Sequence, residues 1–287
     1  MTMRVMIVDG YNKPSRERFD EVGMRPAWKL FEDLLLRYAP EAEVLPWLSS
    51  DEDTPDAFSD EELKQYDAIL WPGCNLTIYH DQPEVQRHKN LCKQAFELGI
   101  PQFGSCWAVQ LACVVAGGVV EANPKGREMG IARNIALTEA GKKHPMYAGK
   151  PPVFSAFESH DDHVTQLPEG ATVLAGNPWS AVQSVEVRLG KGVMVTTQYH
   201  TEYDLNEMAR LIEARDEKLI KLGFFRNADD LRGYVAGLDA LAKEPSRWDL
   251  RWQYSIDDDI LDDTTRELEF KNWLHAFVLN GHANQEK

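Results

Sequence analysis

Residues Gly99–Gly118 read GIPQFGSCWAVQLACVVAGG. A short apolar run, IPQFG, carries into Gly104, Ser105 and Cys106, and an apolar helical pattern over Trp107–Gly117 starts at once. Strand, tight corner and helix in immediate succession is the unit of α/β folds built on a parallel sheet. The corner, Gly104-x-Cys106-x-Ala108, has small residues on both sides. Such a turn lifts the Cys106 side chain above the sheet edge. The helix that follows points its N-terminus at the sulfur. Free N–H groups and the helix dipole there are expected to lower the thiol pKa. The Trp107 N–H is placed to meet an oxyanion forming beside the sulfur. The competing reading is a buried, inert thiol, which free cysteines often are. Cys113, mid-helix among apolar neighbours, is read that way.

The same alternation extends outward. RVMIVDG (Arg4–Gly10) and YDAILWPG (Tyr66–Gly73) read as buried strands that end in turns, and EVLPW as a further strand. Helices are expected over Pro26–Tyr38, with Trp28, Phe31, Leu34 and Leu35 on one face, and over Pro83–Leu98. The acidic stretch SSDEDTPDAFSDEEL leads to a helix start near Ser59. From Gly130 to His200 the runs IARNIAL, PVFSAFE, ATVLAGN, SAVQSVEVR and GVMVTTQYH, divided by turn signals, predict an antiparallel or mixed part of the sheet. After Asp204 the pattern is helical, over Asn206–Leu222 and Ala228–Leu241. SIDDDILDD reads as a solvated loop. A last helix starts at Thr264 with the capping-box pattern Thr264-x-x-Glu267.

The expected fold class is therefore α/β: a mainly parallel or mixed central sheet flanked by helices over residues 1–204, with a helical C-terminal extension, 205–287, packed on it. That extension suits core packing, a cap over the pocket or a surface for a second copy. Trp248, Trp252, Tyr254 and Trp273 give it an aromatic-rich end compatible with each.

Hydrophobic residues make up 43% and charged residues 27% of the 287-residue chain, ordinary globular usage. The formal charge of −15 repels phosphate backbones and anionic lipid, which argues against nucleic-acid and membrane binding and favours solubility. The cysteines, Cys74, Cys92, Cys106 and Cys113, form no C-x-x-C pair, and the chain is too long for a small disulfide scaffold. The start, MTMRVMIVDGYNK, has no signal-peptide apolar region, and no run approaches the roughly 18 apolar residues of a membrane span. A reducing cytoplasm is the expected compartment.

A thiolate nucleophile needs a histidine and a group to orient it. The best context is VMVTTQYHTEYD, where His200 ends an apolar strand and Glu202 lies two residues on. Residues i and i+2 of a strand share a face, so Glu202 can fix the tautomer of His200 and stabilise its imidazolium. A lone strand-end histidine is usually structural. A His-x-Glu beside an elbow cysteine favours catalysis.

These residues resemble the class I, or triad, glutamine amidotransferases. That family carries a Gly-x-Cys-x-Gly-x-Gln elbow and a Phe-His-Pro-Glu segment; this chain has GSCWAVQ and QYHTEYD. SHDDHVTQLPEGATVLA is similar to the Ser-His-x-Asp-x-Val…Leu-Pro segment of the amidotransferase part of GMP synthetases, and GREMGIA to the segment after its elbow helix. ILWPGCN stands where the family has its Gly-Gly-Pro loop. The matches run in order from about Asp67 to Asp204. The resemblance implies Cys106 as nucleophile, His200 as general acid/base and Glu202 as its orienter. It implies backbone N–H groups of Gly73 and Trp107 in an oxyanion hole. Gln110, Ser159, His160 and Asp162 become the candidate substrate-binding residues. Ala108 replaces the usual Gly, Trp107 the commoner Leu or Phe, Thr201 the Pro, and WPGC has one Gly where two are frequent. None of these removes a catalytic atom, but bulk at Trp107 or Cys74 reshapes the pocket.

The implied chemistry is amide hydrolysis through a γ-glutamyl thioester. Three readings stand. The first is a stand-alone amidohydrolase that takes glutamine and passes ammonia to a separate synthetase. The second is a γ-glutamyl peptide or conjugate hydrolase with the same triad, and the third a non-catalytic binding or regulatory protein on this fold. No Gly-x-x-x-x-Gly-Lys-[Ser/Thr] loop and no Ser-Gly-Gly-x-Asp-Ser stretch is present, so no ATP-using synthetase is read in this chain and no cofactor is expected. No metal is expected either. His160, Asp161, Asp162 and His163 alternate faces on a strand and cannot easily converge, so SHDDHV reads as a pocket-shaping or solvated loop. A regulatory disulfide between Cys74 and Cys106 is conceivable if the Gly73 loop lines the oxyanion hole.

Overall fold

The computed structural model describes residues 2–280. In chain order it has β1 (Arg4–Asp9), α1 (Lys13–Val22), α2 (Ala27–Tyr38), β2 (Glu43–Leu48), α3 (Asp60–Leu63), β3 (Ala68–Trp71), α4 (Pro83–Leu98), β4 (Gln102–Ser105) and α5 (Trp107–Val115). Then come β5 (Val119–Ala122), β6 (Glu128–Leu137), β7 (Val153–His160), β8 (Asp162–Gln166), β9 (Ala171–Gly176), β10 (Ser184–Leu189) and β11 (Gly192–Thr197). The helices α6 (Leu205–Ala214), α7 (Asp216–Lys221), α8 (Ala228–Lys243), α9 (Trp248–Tyr254), α10 (Asp258–Leu261), α11 (Asp263–Arg266) and α12 (Leu268–Trp273) follow. A π-helical segment, Leu274–Leu279, continues α12.

Nine strands form one sheet in the order β2-β1-β3-β4-β11-β10-β9-β6-β7, and β5 pairs with β8 apart from it. The first five neighbours pair in parallel, and the remainder antiparallel. This is the mixed sheet the sequence predicts. Parallel strands are buried on both faces, hence the continuous apolar runs. In β1, Met6 and Val8 join the core under α4 and α5, while Val5 and Ile7 join the core under α2 and α12. Phe103 of β4 stands in the second of these, 5.5 Å from Phe270 and 5.2 Å from Trp273 between ring centroids. The C-terminal segment thus completes the sheet's own core. A third core joins Tyr11 and Phe19 to Tyr203 and to Met208, Ile212, Val235 and Leu238 of α6 and α8.

A buried chain of polar contacts ties α12 to β11. The Lys150 ammonium meets Glu269 at 2.9 Å, Tyr199 donates to the same carboxyl at 2.7 Å, and the hydroxyls of Tyr147 and Tyr199 lie 2.7 Å apart. Each buried polar atom here has a partner, which burial requires.

Several local expectations change. Helix α1 was not expected: only Phe19 of it is buried, so it shows no apolar stripe, although Asn12 caps it and Pro14 opens its first turn. The helix expected over Asn206–Leu222 breaks at Arg215, which leaves helical geometry at φ −115°, ψ 21°. SIDDDILDD is not a loop: it holds α10 and the start of α11. The capping box at Thr264 is absent. Asp262 caps that turn instead, and Glu267 turns to Arg37 at 2.7 Å and Tyr38 at 2.9 Å. Two longer-range partners on α2 outweigh a local cap. The aromatic end does not cluster: Trp273 is in the core, while Trp248 and Trp252 are exposed.

Candidate active site

Ser105 ends β4 and Thr197 ends β11, and the two are register partners in the parallel sheet. The next residue, Cys106, donates its N–H to the Thr197 carbonyl at 2.8 Å, and His200 follows three residues after Thr197. Both side chains therefore emerge at the C-terminal edge of adjacent strands, where doubly wound sheets carry their sites. Cys106 adopts φ 53°, ψ −91°, an unusual backbone for a residue with a Cβ. A Cβ on Gly104 would lie 2.2 Å from the Trp71 carbonyl oxygen and 2.7 Å from the Ala108 Cβ. That crowding is why the corner takes small residues.

His200 Nδ1 meets Glu202 Oε1 at 2.6 Å, and Ser105 donates to the same oxygen at 2.8 Å. The Tyr203 ring stacks on the His200 ring, 4.0 Å between centroids and 8° from parallel. Gly73 sits where the two side chains meet: a Cβ there would be 2.7 Å from His200 Cε1 and 3.3 Å from the Cys106 Cβ. The thiol of Cys106 faces the Ser159 carbonyl at 3.6 Å.

One expectation is overturned. Burial pushes the Cys106 thiol up, to about 12, with Glu158 adding to the rise and the guanidinium groups of Arg127 and Arg215 opposing it. Desolvation disfavours the thiolate here, opposite to the lowering expected from the helix terminus. All four cysteines are free thiols.

Trp107 anchors the corner from below. Its indole N–H donates to His88 Nδ1 at 2.9 Å, and His88 Nε2 lies 2.5 Å from the Ser49 hydroxyl, which donates to the Asp9 carbonyl. An indole only donates, so the His88 proton sits on Nε2 and points at Ser49. Burial drives the pKa of His88 down to about 3, which keeps the ring neutral.

A cavity of about 700 Å³ opens in front of Cys106. Trp107, Gln110, Ser159, His160 and Asp162 line it. The His160 ring is already engaged, by the Asp162 carbonyl at 2.7 Å and Glu128 at 3.0 Å, and Asp162 accepts from Tyr79 at 3.0 Å. The SHDDHV residues do not converge: Asp161 pairs with Arg127 and Lys218. His160 instead joins Glu128 and Glu158, their donor atoms within 4.8 Å of one another, a spacing that can hold a cation. Burial and the Glu128 charge push Glu158 well above its usual carboxylate range.

Sequence reasoning missed Ser105, Tyr203, Arg127 and Arg215. Ser105 carried a signal, since it lies beside the nucleophile at a strand end. The two arginines carried none, because they reach the cavity from β6's edge and from the α6–α7 break.

The family model described as "Glutamine amidotransferase class-I" matches residues 31–216. The chain belongs to the class I glutamine amidotransferase family. A "Gamma-glutamyl-L-1-hydroxyisopropylamide hydrolase" from Pseudomonas sp is 31% identical over 283 residues, 96% of this chain and 94% of that protein. A GMP synthase from Thermosipho africanus is 31% identical over 164 residues, 56% of this amidotransferase-family chain but only 28% of that enzyme. Among solved structures, a glutamine amidotransferase from Thermotoga maritima superposes with a TM-score of 0.65 at 18% identity, covering 97% of this chain and 99% of its own. That likeness shows the class I fold. No helix among the described residues is long and apolar enough to cross a membrane.

Proposed function

We propose that the chain is a γ-glutamyl amide hydrolase, with Cys106 as nucleophile, His200 as proton carrier and Glu202 as its orienter. The observation that carries this reading is the cavity of about 700 Å³ in front of Cys106. Sites of this size suit ligands larger than a single amino acid. The near full-length similarity to a γ-glutamyl amide hydrolase supports it.

In the first step the Cys106 proton passes to His200 as sulfur attacks the γ-carbonyl carbon. Because burial favours the neutral thiol, His200 must take this proton for the sulfur to attack. Glu202 on Nδ1 stabilises the imidazolium. The N–H groups of Trp107, in the unpartnered first turn of α5, and of Gly73 receive the oxyanion, each worth about 3–4 kcal/mol in comparable sites. His200 then protonates the departing amine, and the C–N bond breaks to leave a γ-glutamyl thioester. Water gives its proton to His200, attacks the thioester and releases glutamate, and the thiol regains its proton. Gln110 and Asp162 are assigned to hold the substrate at the cavity wall.

A second reading, glutamine as substrate with ammonia passed to a separate synthetase, is favoured by the similarity to the GMP synthase. The test is glutamate release from glutamine and from a panel of γ-glutamyl amides, with Cys106→Ala as control. Release from the amides at far higher kcat/KM supports the hydrolase. Release from glutamine alone moves the assignment to the second reading.

A further inference from the structure

We propose that Arg127 and Arg215 form a seat for the α-carboxylate of the γ-glutamyl group; this rests on the hydrolase reading above. Both guanidinium groups converge on one neutral atom. Arg127 Nη2 donates to Ser159 Oγ at 2.7 Å, and Arg215 Nη1 donates to the same oxygen at 2.6 Å. The Ser159 hydroxyl hydrogen turns away, to Met129 Sδ at 3.2 Å. A hydroxyl satisfies the geometry of two N–H donors but supplies no charge to two cations.

The charges around this point do not balance. Asp161 lies 2.5 Å from Arg127, and Lys218 shares that carboxylate at 3.0 Å. The polar partners of Arg215 are Ser159 Oγ and the Tyr11 hydroxyl, 3.2 Å away, and neither is an anion. Arg127 Nε is buried with no hydrogen-bond partner among the described residues. Arg127, Arg215 and Lys218 line the cavity against Asp161 and Asp162, one more cation than anion in a chain of charge −15, while Arg18 at the rim is paired with Glu21 and Asp216. Burial and then the neighbouring Arg215 charge pull the Arg127 pKa down, the mark of two like charges held side by side.

The seat shares its cavity with the nucleophile. The backbone carbonyl of Ser159 faces the Cys106 sulfur at 3.6 Å, and the side chain of that same residue carries the two guanidinium groups. Four single bonds separate the γ-carbonyl carbon from the α-carboxyl carbon, a reach of about 5 Å at ordinary bond lengths. A planar fork suits a carboxylate in a way an ammonium does not. Arg215 stands at the break between α6 and α7, so that break serves to turn it inward.

The test uses the full chain, wild type and Arg215→Met, with Arg215→Lys as the conservative variant. Kinetics compare γ-glutamyl methylamide with 4-aminobutyryl methylamide, which lacks only the α-carboxylate. Calorimetry compares L-glutamate with 4-aminobutyrate as ligands. The expected wild-type preference for the γ-glutamyl amide is about 100-fold or more in kcat/KM, as for sites built around one polar group. In Arg215→Met it falls to a few-fold, mainly through KM, and Arg215→Lys lies between. L-glutamate binds the wild type and 4-aminobutyrate does not. Equal kcat/KM on both amides, undiminished discrimination in Arg215→Met, or no preference for L-glutamate overturns the seat. So does a loss confined to γ-glutamyl amides whose amine itself bears a carboxylate, which would place the seat on the leaving-group side. Selective L-glutamate binding without hydrolysis of any amide keeps the seat and removes the hydrolase reading.

Discussion

Ser105 donates its hydroxyl at 2.8 Å to Oε1 of Glu202, the oxygen that also meets His200 Nδ1 at 2.6 Å. The other oxygen of that carboxyl is buried without a partner among the described residues. One atom therefore carries both contacts, and Ser105 limits how far the carboxyl can swing. Ser105→Ala is expected to lower kcat roughly tenfold with little change in KM, since a hydrogen bond to a charged group is worth about 1.5–3 kcal/mol. Steady-state kinetics on a γ-glutamyl amide separates the two constants. A change in KM alone would contradict this role.

Gly73 has no room for a side chain against His200 Cε1 at 2.7 Å, and the stacked Tyr203 ring prevents His200 from retreating. Gly73→Ala is expected to displace the imidazole and cost about 100-fold in kcat, the usual penalty for misplacing a reacting group by about 1 Å. Stability should fall far less, because the crowding is local. Parallel unfolding and activity measurements decide it.

A thiol held near 12 is almost wholly protonated at neutral pH. Alkylation of Cys106 by iodoacetamide, followed on its peptide by mass spectrometry, should be slow at pH 7. It should rise about tenfold per pH unit up to pH 10, because the thiolate is the nucleophile. Fast, pH-independent labelling would mean that a preformed ion pair with His200 operates instead.

His88 is held near 3, whereas an unfolded histidine titrates near 6.5. Between those values the unfolded chain binds the extra proton. The contribution of His88 is therefore complete above about pH 6.5 and lost as pH falls toward 3, at about 1.4 kcal/mol per pH unit. Urea unfolding of wild type and His88→Gln across pH 7 to 4 should show the stability gap narrowing on acidification. A gap that does not change with pH would contradict the neutral, buried ring.

The corner at Cys106, the strand alternation and the His200-x-Glu202 pair were legible because each is a local pattern: period, small residues, spacing. The mixed sheet followed from the same runs. Arg127 and Arg215 were not legible, because what brings them to Ser159 is packing between segments far apart in the chain. The thiol's pKa was misread for a related reason. Sequence shows a helix start but not how deeply the sulfur is buried, and burial outweighs the dipole here. Thr264 and Glu267 formed a valid local pattern that lost to partners on α2.

Phe270 and Trp273 fill the face of the sheet beside Phe103, yet they are synthesised long after it. While the ribosome is still adding α6 to α11, α2 covers part of that face, with Phe31 6.3 Å from Phe103, and the place that Phe270 and Trp273 will fill stands open to chaperones or to other nascent chains. The sheet can assemble its strand order early, but it cannot exclude water until the tail arrives. A chain broken off before residue 270 is therefore expected to expose the part of that core that Phe270 and Trp273 fill, apolar surface of the kind that proteases and chaperones recognise.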